Sequence, residues 1–496
     1  MKHYEELQNG SDIRGIAMEN EEGYPVNLTE EAVRCLSIGF TEWLRQSTGK
    51  QEVKIAVGRD SRLSGPALSK AIIEGINAAG GSCTDFGLAS TPAMFMATVL
   101  PPIEADGSIM VTASHLPWYR NGMKFFTKNG GLEKSDIAKV IALAEGADSK
   151  APFDSSTDSY DFMENYCGHL RKKIIAGAGK GTDKPLSGLH IIVDAGNGAG
   201  GFFAGRVLEP LGADISGSQF LEPDGHFPNH MPNPENKEAA KAIQDATLSS
   251  HADLGIIFDT DVDRAGAVLS DGRTLTRNAL IAVLSRIAVN EHPGTTIVTD
   301  SVTSTGLHEF IEGMGGVHRR FKRGYRNVIN EAIRLNKEGV RSDLAIETSG
   351  HGAFMENYFL DDGAYLMVKL LIEMGKGNSL ESLISGLKEP LESLEIRIRV
   401  NTSEKSPSDI MERALSHVSE AVSKQAGWTP EKENFEGLRI NCDSSHGNGW
   451  FLIRKSLHEP IMPLNIESDS EGGAETIKNA LKAILEETEG LDLSCL

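Results

Sequence analysis

The sequence predicts an α/β protein made of three similar three-layer α/β/α domains and a smaller C-terminal α+β domain. The chain has 496 residues, which corresponds to three or four domains at about 150 residues each. Hydrophobic residues make up 40% of it, enough for several buried cores and too many for a disordered chain. One pattern of strand, helix and glycine recurs three times, and the C-terminal quarter then departs from it.

The recurring pattern begins with a short β-branched strand, continues through a loop of small residues into a helix, and ends at glycine. We expect strand and helix pairs at residues 54–57 with 64–79, 190–193 with 201–211, and 296–298 with a helix that ends at 312. Parallel strands need crossover connections of this kind, so each copy predicts a layered α/β domain.

The C-terminal quarter shows a different pattern. Residues 394–400 alternate like a half-exposed strand, a helix follows over 408–425, and two more strands are expected at 438–440 and 450–454. This arrangement predicts an α+β domain on an antiparallel sheet. We expect the acidic residues 467–473 to form a solvated loop before the last helix.

Three segments are candidate linkers between domains: 176–188, which is rich in Gly and Lys, the neighbourhood of 274–276, and 389–393. With these linkers, the predicted domains are residues 1–184, 185–275, 276–392 and 393–496.

Composition argues against several classes of protein. Lys and Arg number 49 against 70 Asp and Glu, and the net charge of −21 argues against a nucleic-acid coat or a polybasic membrane anchor. The five scattered cysteines indicate neither a disulfide framework nor a structural zinc site. No apolar run is long enough to span a membrane, and the N-terminus lacks the core of a signal peptide. We expect a cytoplasmic protein, or one in an organelle stroma if a presequence was removed.

Three aspartates at alternate positions, Asp259, Asp261 and Asp263, follow an apolar stretch. Buried carboxylates without partners are costly, and a divalent cation relieves that cost. Oxygen-only ligands favour Mg²⁺ or Ca²⁺. An EF-hand fits poorly, because Ser270 stands where its bidentate glutamate belongs, so Mg²⁺ that also holds a phosphate is the better match. A polar surface turn is the alternative.

Ser114 and His115 follow the short apolar stretch 109–111. A serine next to a histidine at a strand end suggests an activated or modified hydroxyl, although the same residues are also common in plain turns. Lys124 follows closely and could return an ammonium group to this loop.

Residues 318–326 form the densest positive cluster of this acidic chain and include Lys322. Nucleic-acid binding is one interpretation, but a single patch in a chain of this charge fits a phosphate monoester better. Arg14 could contribute to the same role. For Arg59 and Arg62, we expect ordinary solvated arginines.

Two further segments lie at strand ends. Glu347, Ser349 and His351 combine carboxylate, hydroxyl and imidazole groups, which suits sugar hydroxyls, and a structural turn is an equal alternative. Arg454 and Ser456 could hold a phosphate.

Gly196, Gly198 and Gly201 match the GxGxxG pattern of dinucleotide-binding folds, and Asp214 lies at a tolerable distance for a ribose contact. A nicotinamide-dependent dehydrogenase is therefore an alternative. It is disfavoured because no second feature supports it and glycines also serve close packing at a strand–helix turn.

Taken together and in order, these segments resemble the α-D-phosphohexomutase superfamily, which includes phosphoglucomutase and phosphomannomutase. The resemblance spans the whole chain, from residues 11–15 and 58–65 through the Ser114 and Asp259 loops to the Arg454 loop. It implies four domains around a central active-site cleft, a phosphosugar substrate, and a monomer or weak dimer.

The resemblance also implies roles for individual residues. Ser114 would be the phosphoserine and would complete an Mg²⁺ site with the three aspartates, and Arg264 would neutralise the transferring phosphoryl group. Arg14, His115 and Lys124 would serve near the nucleophile as acid or base. Substrate contacts would come from Lys322, Glu347, Ser349, His351, Arg454 and Ser456. The implied reaction interconverts hexose 1-phosphate and hexose 6-phosphate through a bound hexose 1,6-bisphosphate, with glucose favoured over mannose.

The sequence departs from the family pattern in several loops. Thr260 and Ile346 replace glycines, Leu116 replaces an asparagine, and Lys455, Leu457 and His458 alter the phosphate loop. A catalytically impaired phosphosugar-binding homologue is therefore the alternative function.

Overall fold

The structure is a computed structural model that describes residues 4–153, 157–401, 406–456 and 459–496. The chain forms two compact units. The first contains the residues up to Thr276 together with Ser349–Leu383, and the second contains Arg277–Thr348 and Ile384–Leu496. The four predicted domain ranges remain predictions at this level of division. Leu457 and His458 lie outside the described residues.

The first unit begins with a mixed sheet. Its strand order is Gln8–Asn9, Asp12–Ile16, Arg120–Thr127, Gly107–Val111, Lys54–Arg59, Ser82–Leu88 and Asp158–Ser159, with Gly130–Gly131 beside Arg120–Thr127. The helices of this part are Glu5–Leu7 (3-10), Glu30–Thr48, Gly65–Ala78, Thr91–Met96, Lys134–Glu145 and Phe162–Ala178.

Two neighbouring parallel strands of this sheet position a pair of loops. Lys54–Arg59 runs parallel to Gly107–Val111, with Arg59 opposite Val111. Since parallel strands end at the same edge of a sheet, the residues after Arg59 meet those after Val111. The strand Gly107–Val111 is buried throughout.

A second sheet of the first unit has the order Thr274–Leu275, Ala265–Leu269, Leu254–Phe258 and Ile191–Asp194. Leu254–Phe258 and Ala265–Leu269 are antiparallel neighbours, so residues 259–264 form the loop of a hairpin. The remaining elements are the helices Lys237–Ser250, Gly363–Lys376 and Leu380–Leu383, the 3-10 turn Met355–Asn357, and the strands Gly352–Phe354 and Leu360–Asp361.

Two local predictions for this part are refined by the structure. The helix expected at 201–211 is present as a π-helix, Phe203–Leu208, followed by the 3-10 turn Glu209–Leu211. Glycine lowers the α-helical propensity of this stretch, since Gly201 and Gly205 both lie in it. The linker expected near 274–276 coincides with the end of the first unit at Thr276, and its residues Thr274–Leu275 also form an edge strand that pairs with Ala265–Leu269.

The second unit contains a parallel sheet and an antiparallel sheet. In the parallel sheet, Thr296–Thr299 lies between Val317–Arg320 and Ser342–Ile346, and the helices beside it are Arg277–Glu291, Thr305–Gly313 and Tyr325–Lys337. In the antiparallel sheet, the strand order is Trp428–Pro430, Leu438–Cys442, Gly449–Ile453, Ile461–Ser468, Glu392–Val400 and Leu491–Asp492, and the helices are Pro407–Lys424 and Gly473–Leu485.

The antiparallel sheet confirms the α+β prediction for the C-terminal quarter, and the fold class as a whole is confirmed. One detail is wrong. Glu467 and Ser468 are not in a solvated loop but are buried at the end of a strand, where Glu467 accepts a hydrogen bond of 3.0 Å from the Trp450 indole. No helix in the described ranges is long and apolar enough to cross a membrane.

Candidate active site

Ser114 lies in a strained turn directly after the buried strand Gly107–Val111. Its φ of 52° is in the left-handed region, which costs a non-glycine residue about 1 kcal/mol or more. The side chain is almost fully buried, and its Oγ donates to Asp259 Oδ2 at 3.1 Å. His115 Nδ1 lies 3.3 Å from the same Oγ. The Ser114 hydroxyl is therefore held between a carboxylate and an imidazole.

The hairpin loop brings Asp259, Asp261 and Asp263 together in the interior. All three are buried, and one carboxylate oxygen of each lies within 4.8 Å of the other two. Asp261 Oδ1 and Asp263 Oδ1 have no hydrogen-bond partner in the described part of the chain. Burial and the other two carboxylates raise the pKa of Asp259 well above its ordinary value. Orphaned buried oxygens of this kind fit a hard divalent cation such as Mg²⁺. The departure at Thr260 leaves the carboxylates converging.

Lys124 supplies positive charge to this cluster. Its ammonium lies 2.9 Å from Asp261 Oδ2 and 2.5 Å from Asp263 Oδ2. Burial opposes the charge, but the two carboxylates raise the pKa of Lys124 well above its ordinary value, so it is an ammonium at neutral pH. Thr91, at the start of a short helix, also donates to Asp261 Oδ2 at 2.5 Å. Sequence reasoning missed Thr91, whose signal is the Ser-Thr-Pro helix start.

His115 and Arg14 flank the serine turn. Burial, together with the charges of Arg264 and Arg14, lowers the pKa of His115 to about 2, so the ring is neutral at physiological pH. Arg14 donates to the Ala113 carbonyl and pairs with Asp12, both at 2.9 Å.

Arg264 is oriented by a buried histidine. Its Nε donates to His351 Nε2 at 2.8 Å, so the proton of the imidazole is on Nδ1 and points to Asp361 Oδ2 at 2.6 Å. Asp263, His351 and Asp361 are also close enough together to ligate a metal ion. Both ring nitrogens of His351, however, are already hydrogen-bonded, to Arg264 and Asp361. Asp361 was missed, because it is ten residues from its partner and matches no motif.

The GxGxxG segment packs against the hairpin loop 259–264, which is called the metal loop below because it carries the three aspartates. The Ala199 amide donates to the Thr260 carbonyl at 2.8 Å, and a Cβ on Gly198 would lie 2.8 Å from the same oxygen. The glycine at 198 therefore allows two backbones to approach closely, and it has a structural reason that needs no dinucleotide.

The second unit gathers another set of predicted residues. Glu347 is buried at a strand end and accepts a 2.6 Å bond from the Gly324 amide. Arg454 lies 3.6 Å from Glu436, whose other oxygen accepts from Ser301 Oγ at 2.6 Å and from the Arg323 amide at 3.0 Å.

The predicted residues that remain to be placed are Lys322, Ser349 and Ser456. Lys322 is exposed, and Ser349 is buried in the first unit. Ser456 Oγ accepts from the Glu459 amide at 3.3 Å, whereas Lys455 pairs with Glu412. The predicted residues are thus brought together in two sets. Ser114, the aspartates, His115, Lys124, Arg264 and His351 form one, and Glu347 and Arg454 belong to the other.

Comparison with known proteins covers nearly the whole chain. Family models for phosphoglucomutase/phosphomannomutase α/β/α domains I, II and III match residues 5–150, 164–272 and 276–390. A phosphoglucomutase of Neisseria gonorrhoeae is 30% identical over 482 residues, which is 96% of this chain and 95% of that protein. A phosphomannomutase/phosphoglucomutase of Pseudomonas aeruginosa is 30% identical over 446 residues, 88% of this chain and 89% of that protein. A crystal structure of a family protein from Burkholderia thailandensis has 26% identity and a TM-score of 0.77, and covers 97% of both chains.

A buried serine beside a cluster of buried carboxylates, on this fold and with these relatives, defines an isomerase that transfers a phosphoryl group within a hexose phosphate. The chain belongs to the phosphoglucomutase/phosphomannomutase family, within the α-D-phosphohexomutase superfamily. The predicted resemblance is confirmed.

Proposed function

We propose that this enzyme interconverts hexose 1-phosphate and hexose 6-phosphate through a phosphoserine at Ser114 and a bound hexose 1,6-bisphosphate. Glucose phosphates are the favoured substrates and mannose phosphates the second choice. The observation that carries the proposal is the position of Ser114 Oγ, 3.1 Å from Asp259 and within reach of a neutral His115.

The proposed first transfer moves the phosphoryl group from Ser114 Oγ to a free hydroxyl of the hexose phosphate. The bond between phosphorus and Oγ breaks, a bond to the sugar oxygen forms, and the hydroxyl proton passes to a base. Arg14, His115 and Lys124 are the groups proposed to act near the nucleophile as acid or base. Of these, Lys124 is charged and suited to donate a proton or to neutralise developing charge, whereas His115 is neutral. The second transfer returns the other phosphoryl group of the bisphosphate to Ser114.

Arg264 is the proposed electrostatic partner of the transferring group. Phosphoryl transfer relies mainly on positioning and charge neutralisation, so a guanidinium held in a fixed direction is effective. The bond to His351, itself held by Asp361, gives Arg264 that fixed direction.

Asp259, Asp261 and Asp263 would hold Mg²⁺, with an oxygen of Ser114 or its phosphate as a further ligand. When bound, the cation supplies neutralisation of phosphoryl charge. The orphaned oxygens of Asp261 and Asp263 support this assignment.

The remaining predicted residues are proposed to recognise the substrate. Glu347, Ser349, His351 and Lys322 would contact sugar hydroxyls, and Arg454 and Ser456 would hold the phosphate that is not being transferred. A monomer or weak dimer, a cytoplasmic or stromal location and the absence of a nucleic-acid partner remain predictions.

The proposal is tested by incubating the purified protein with glucose 1-phosphate, Mg²⁺ and a trace of glucose 1,6-bisphosphate. We expect glucose 6-phosphate to form, more slowly mannose 6-phosphate from mannose 1-phosphate, and no product with Ser114→Ala. Phosphosugar binding by calorimetry without turnover on glucose, mannose or glucosamine phosphates would instead identify an impaired binding homologue.

A further inference from the structure

Arg62 is fully buried in the first unit, contrary to the expectation of a solvated arginine. It follows the strand Lys54–Arg59, whose end meets the serine turn. Taking a guanidinium out of water costs several kcal/mol unless good partners compensate, so the partners of Arg62 are the informative feature.

Those partners are four backbone carbonyls of one short segment. Nη2 of Arg62 donates to Ser114 O at 2.5 Å and to Leu116 O at 2.6 Å. Nη1 donates to Pro117 O at 2.7 Å and to Arg120 O at 3.0 Å. The guanidinium thus donates hydrogen bonds to four carbonyls of the loop that carries Ser114.

Asp60 fixes the same turn from its other side. One carboxylate oxygen accepts from the Arg62 amide at 2.9 Å, and the other accepts from Arg62 Nε at 3.2 Å and Thr112 Oγ1 at 2.7 Å. Thr112 Oγ1 in turn accepts the Ser114 amide at 2.9 Å. Both the amide and the carbonyl of Ser114 are therefore tied to the Asp60 and Arg62 pair.

This network opposes a specific strain. Ser114 has the left-handed φ of 52°, and an unconstrained serine would leave that conformation. A planar guanidinium with five donors can satisfy four converging carbonyls and a carboxylate at once, whereas an ammonium has only three donors and a compact hydration shell.

We infer that Arg62, oriented by Asp60, is a positioning residue that holds the Ser114 turn in the conformation required for phosphoryl transfer. It touches neither the substrate nor the transferred group. The inference rests on the proposed function, in which Ser114 is the group that carries the phosphate.

The test compares Arg62→Lys and Arg62→Ala with Arg34→Lys. Arg34 is a suitable control, because it is a half-buried arginine that donates to the Ala151 carbonyl at 2.7 Å, away from the serine turn. We expect kcat to fall by about 100-fold in both Arg62 variants, the order expected for a misplacement of about 1 Å. KM should stay close to the wild-type value, since Arg62 is not proposed to bind substrate, and Arg34→Lys should behave like wild type.

Chemical rescue separates positioning from general stability. Guanidinium ions at sub-denaturing concentration should restore part of the kcat of Arg62→Ala, and ammonium ions should not. Unchanged kcat in both variants, an equal loss in Arg34→Lys, or rescue by ammonium would overturn the inference. If Arg62→Ala fails to fold, Asp60→Asn takes its place, with a fall in kcat of about tenfold expected and wild-type kcat as the contrary result.

Hydrogen exchange keeps this test distinct from that of the proposed function. If the wild-type protein showed no mutase activity, the proposed function would fail, but exchange at the amides of residues 112–120 would still report the turn. We expect faster exchange there in Arg62→Lys than in Arg34→Lys. Equal amide exchange rates in the two variants would contradict a positioning role for Arg62, whether or not the protein has mutase activity.

Discussion

Asp259, Asp261 and Asp263 show how burial and neighbouring charge set the chemistry of single residues. Each would be an ordinary acid in water, but together in the interior they repel one another and require a cation. Lys124 supplies part of that positive charge, with its ammonium between Asp261 and Asp263, while two carboxylate oxygens have no hydrogen-bond partner in the described part of the chain. The same carboxylates keep Lys124 charged.

Replacing Lys124 with methionine should make the stability of the first unit depend more strongly on Mg²⁺. Removing one partner of a buried ion pair costs about 3–5 kcal/mol, and a bound divalent cation would recover part of it. Melting temperatures in EDTA and in excess Mg²⁺ measure this effect. We expect a larger Mg²⁺-induced rise for Lys124→Met than for wild type or for Lys139→Met, whose lysine is exposed. Equal rises in all three proteins would count against the shared charge site.

Asp362 provides a residue-scale prediction on pH. Burial raises its pKa to about 6, although Tyr166, Asn357 and the Tyr365 amide all donate to it. The folded protein therefore holds this proton more tightly than the unfolded chain, for which the value is 3.8. The stabilisation that protonation provides is lost as pH rises from about 4 to about 6 and is constant above that range.

Asp362→Asn should remove this pH dependence. The difference corresponds to about 3 kcal/mol at 1.36 kcal/mol per pKa unit. Protection factors of the helix Gly363–Lys376, which Asp362 caps, measure it locally. We expect them to fall between pH 4 and 7 in wild type and in Asp409→Asn, an exposed acid, and to stay level in Asp362→Asn. A parallel fall in Asp362→Asn would show that another group controls the slope.

At the scale of elements, the site depends on how strand ends and loops support one another. The loop after Ile191–Asp194 touches the metal loop at Gly198, where an added Cβ would lie 2.8 Å from the Thr260 carbonyl and 2.9 Å from its Cα. Both of these atoms belong to backbone, which cannot move without displacing the aspartates on either side.

Gly198→Ala should therefore weaken metal binding by about tenfold or more, in the range observed when a group that supports metal ligands is removed. The matched control is Gly205→Ala, since a Cβ there meets nothing within 4 Å. Titration with Mn²⁺ followed by electron paramagnetic resonance gives the affinity directly. Equal Mn²⁺ affinity in the two variants would show that the metal loop tolerates the displacement.

The sequence was sufficient for elements whose signal is local. Apolar runs predicted the strands ahead of Ser114 and Asp259, and alternating hydrophobicity predicted the strand Glu392–Val400. The spacing of the three aspartates indicated the metal loop. It was insufficient where a partner is distant in the chain. Arg62 binds carbonyls more than fifty residues away, and Glu467 is buried against Trp450, so both were wrongly expected to be solvated. Thr91 was missed for the same reason, since its partner Asp261 is 170 residues away, whereas Asp361 was missed because it matches no motif.

At the scale of the whole molecule, the proposed roles divide between the two compact units. Ser114, the aspartates and the groups beside them belong to the first unit, whereas Glu347 and Arg454 belong to the second. Phosphoryl chemistry and recognition of the second phosphate should therefore respond to different substitutions.

Arg454→Gln should raise KM for glucose 1-phosphate by about tenfold or more, because a charge-assisted contact to phosphate contributes about 1.5–3 kcal/mol. The phosphorylation of Ser114 itself should remain possible. Lys455→Gln is the control, since that ammonium is paired with Glu412. Steady-state kinetics of the three proteins measures the difference. A similar KM in Arg454→Gln and wild type would place phosphate recognition elsewhere.

The central claim is that Ser114 carries the phosphoryl group that is transferred. The most direct measurement charges the protein with radiolabelled phosphate from hexose 1,6-bisphosphate, locates the label by peptide mapping, and chases it with unlabelled glucose 1-phosphate in a single turnover. We expect label on the peptide that contains Ser114, its transfer into hexose bisphosphate at a rate no slower than kcat, and no labelling of Ser114→Ala. Turnover without label on Ser114, or label that does not chase, would contradict it.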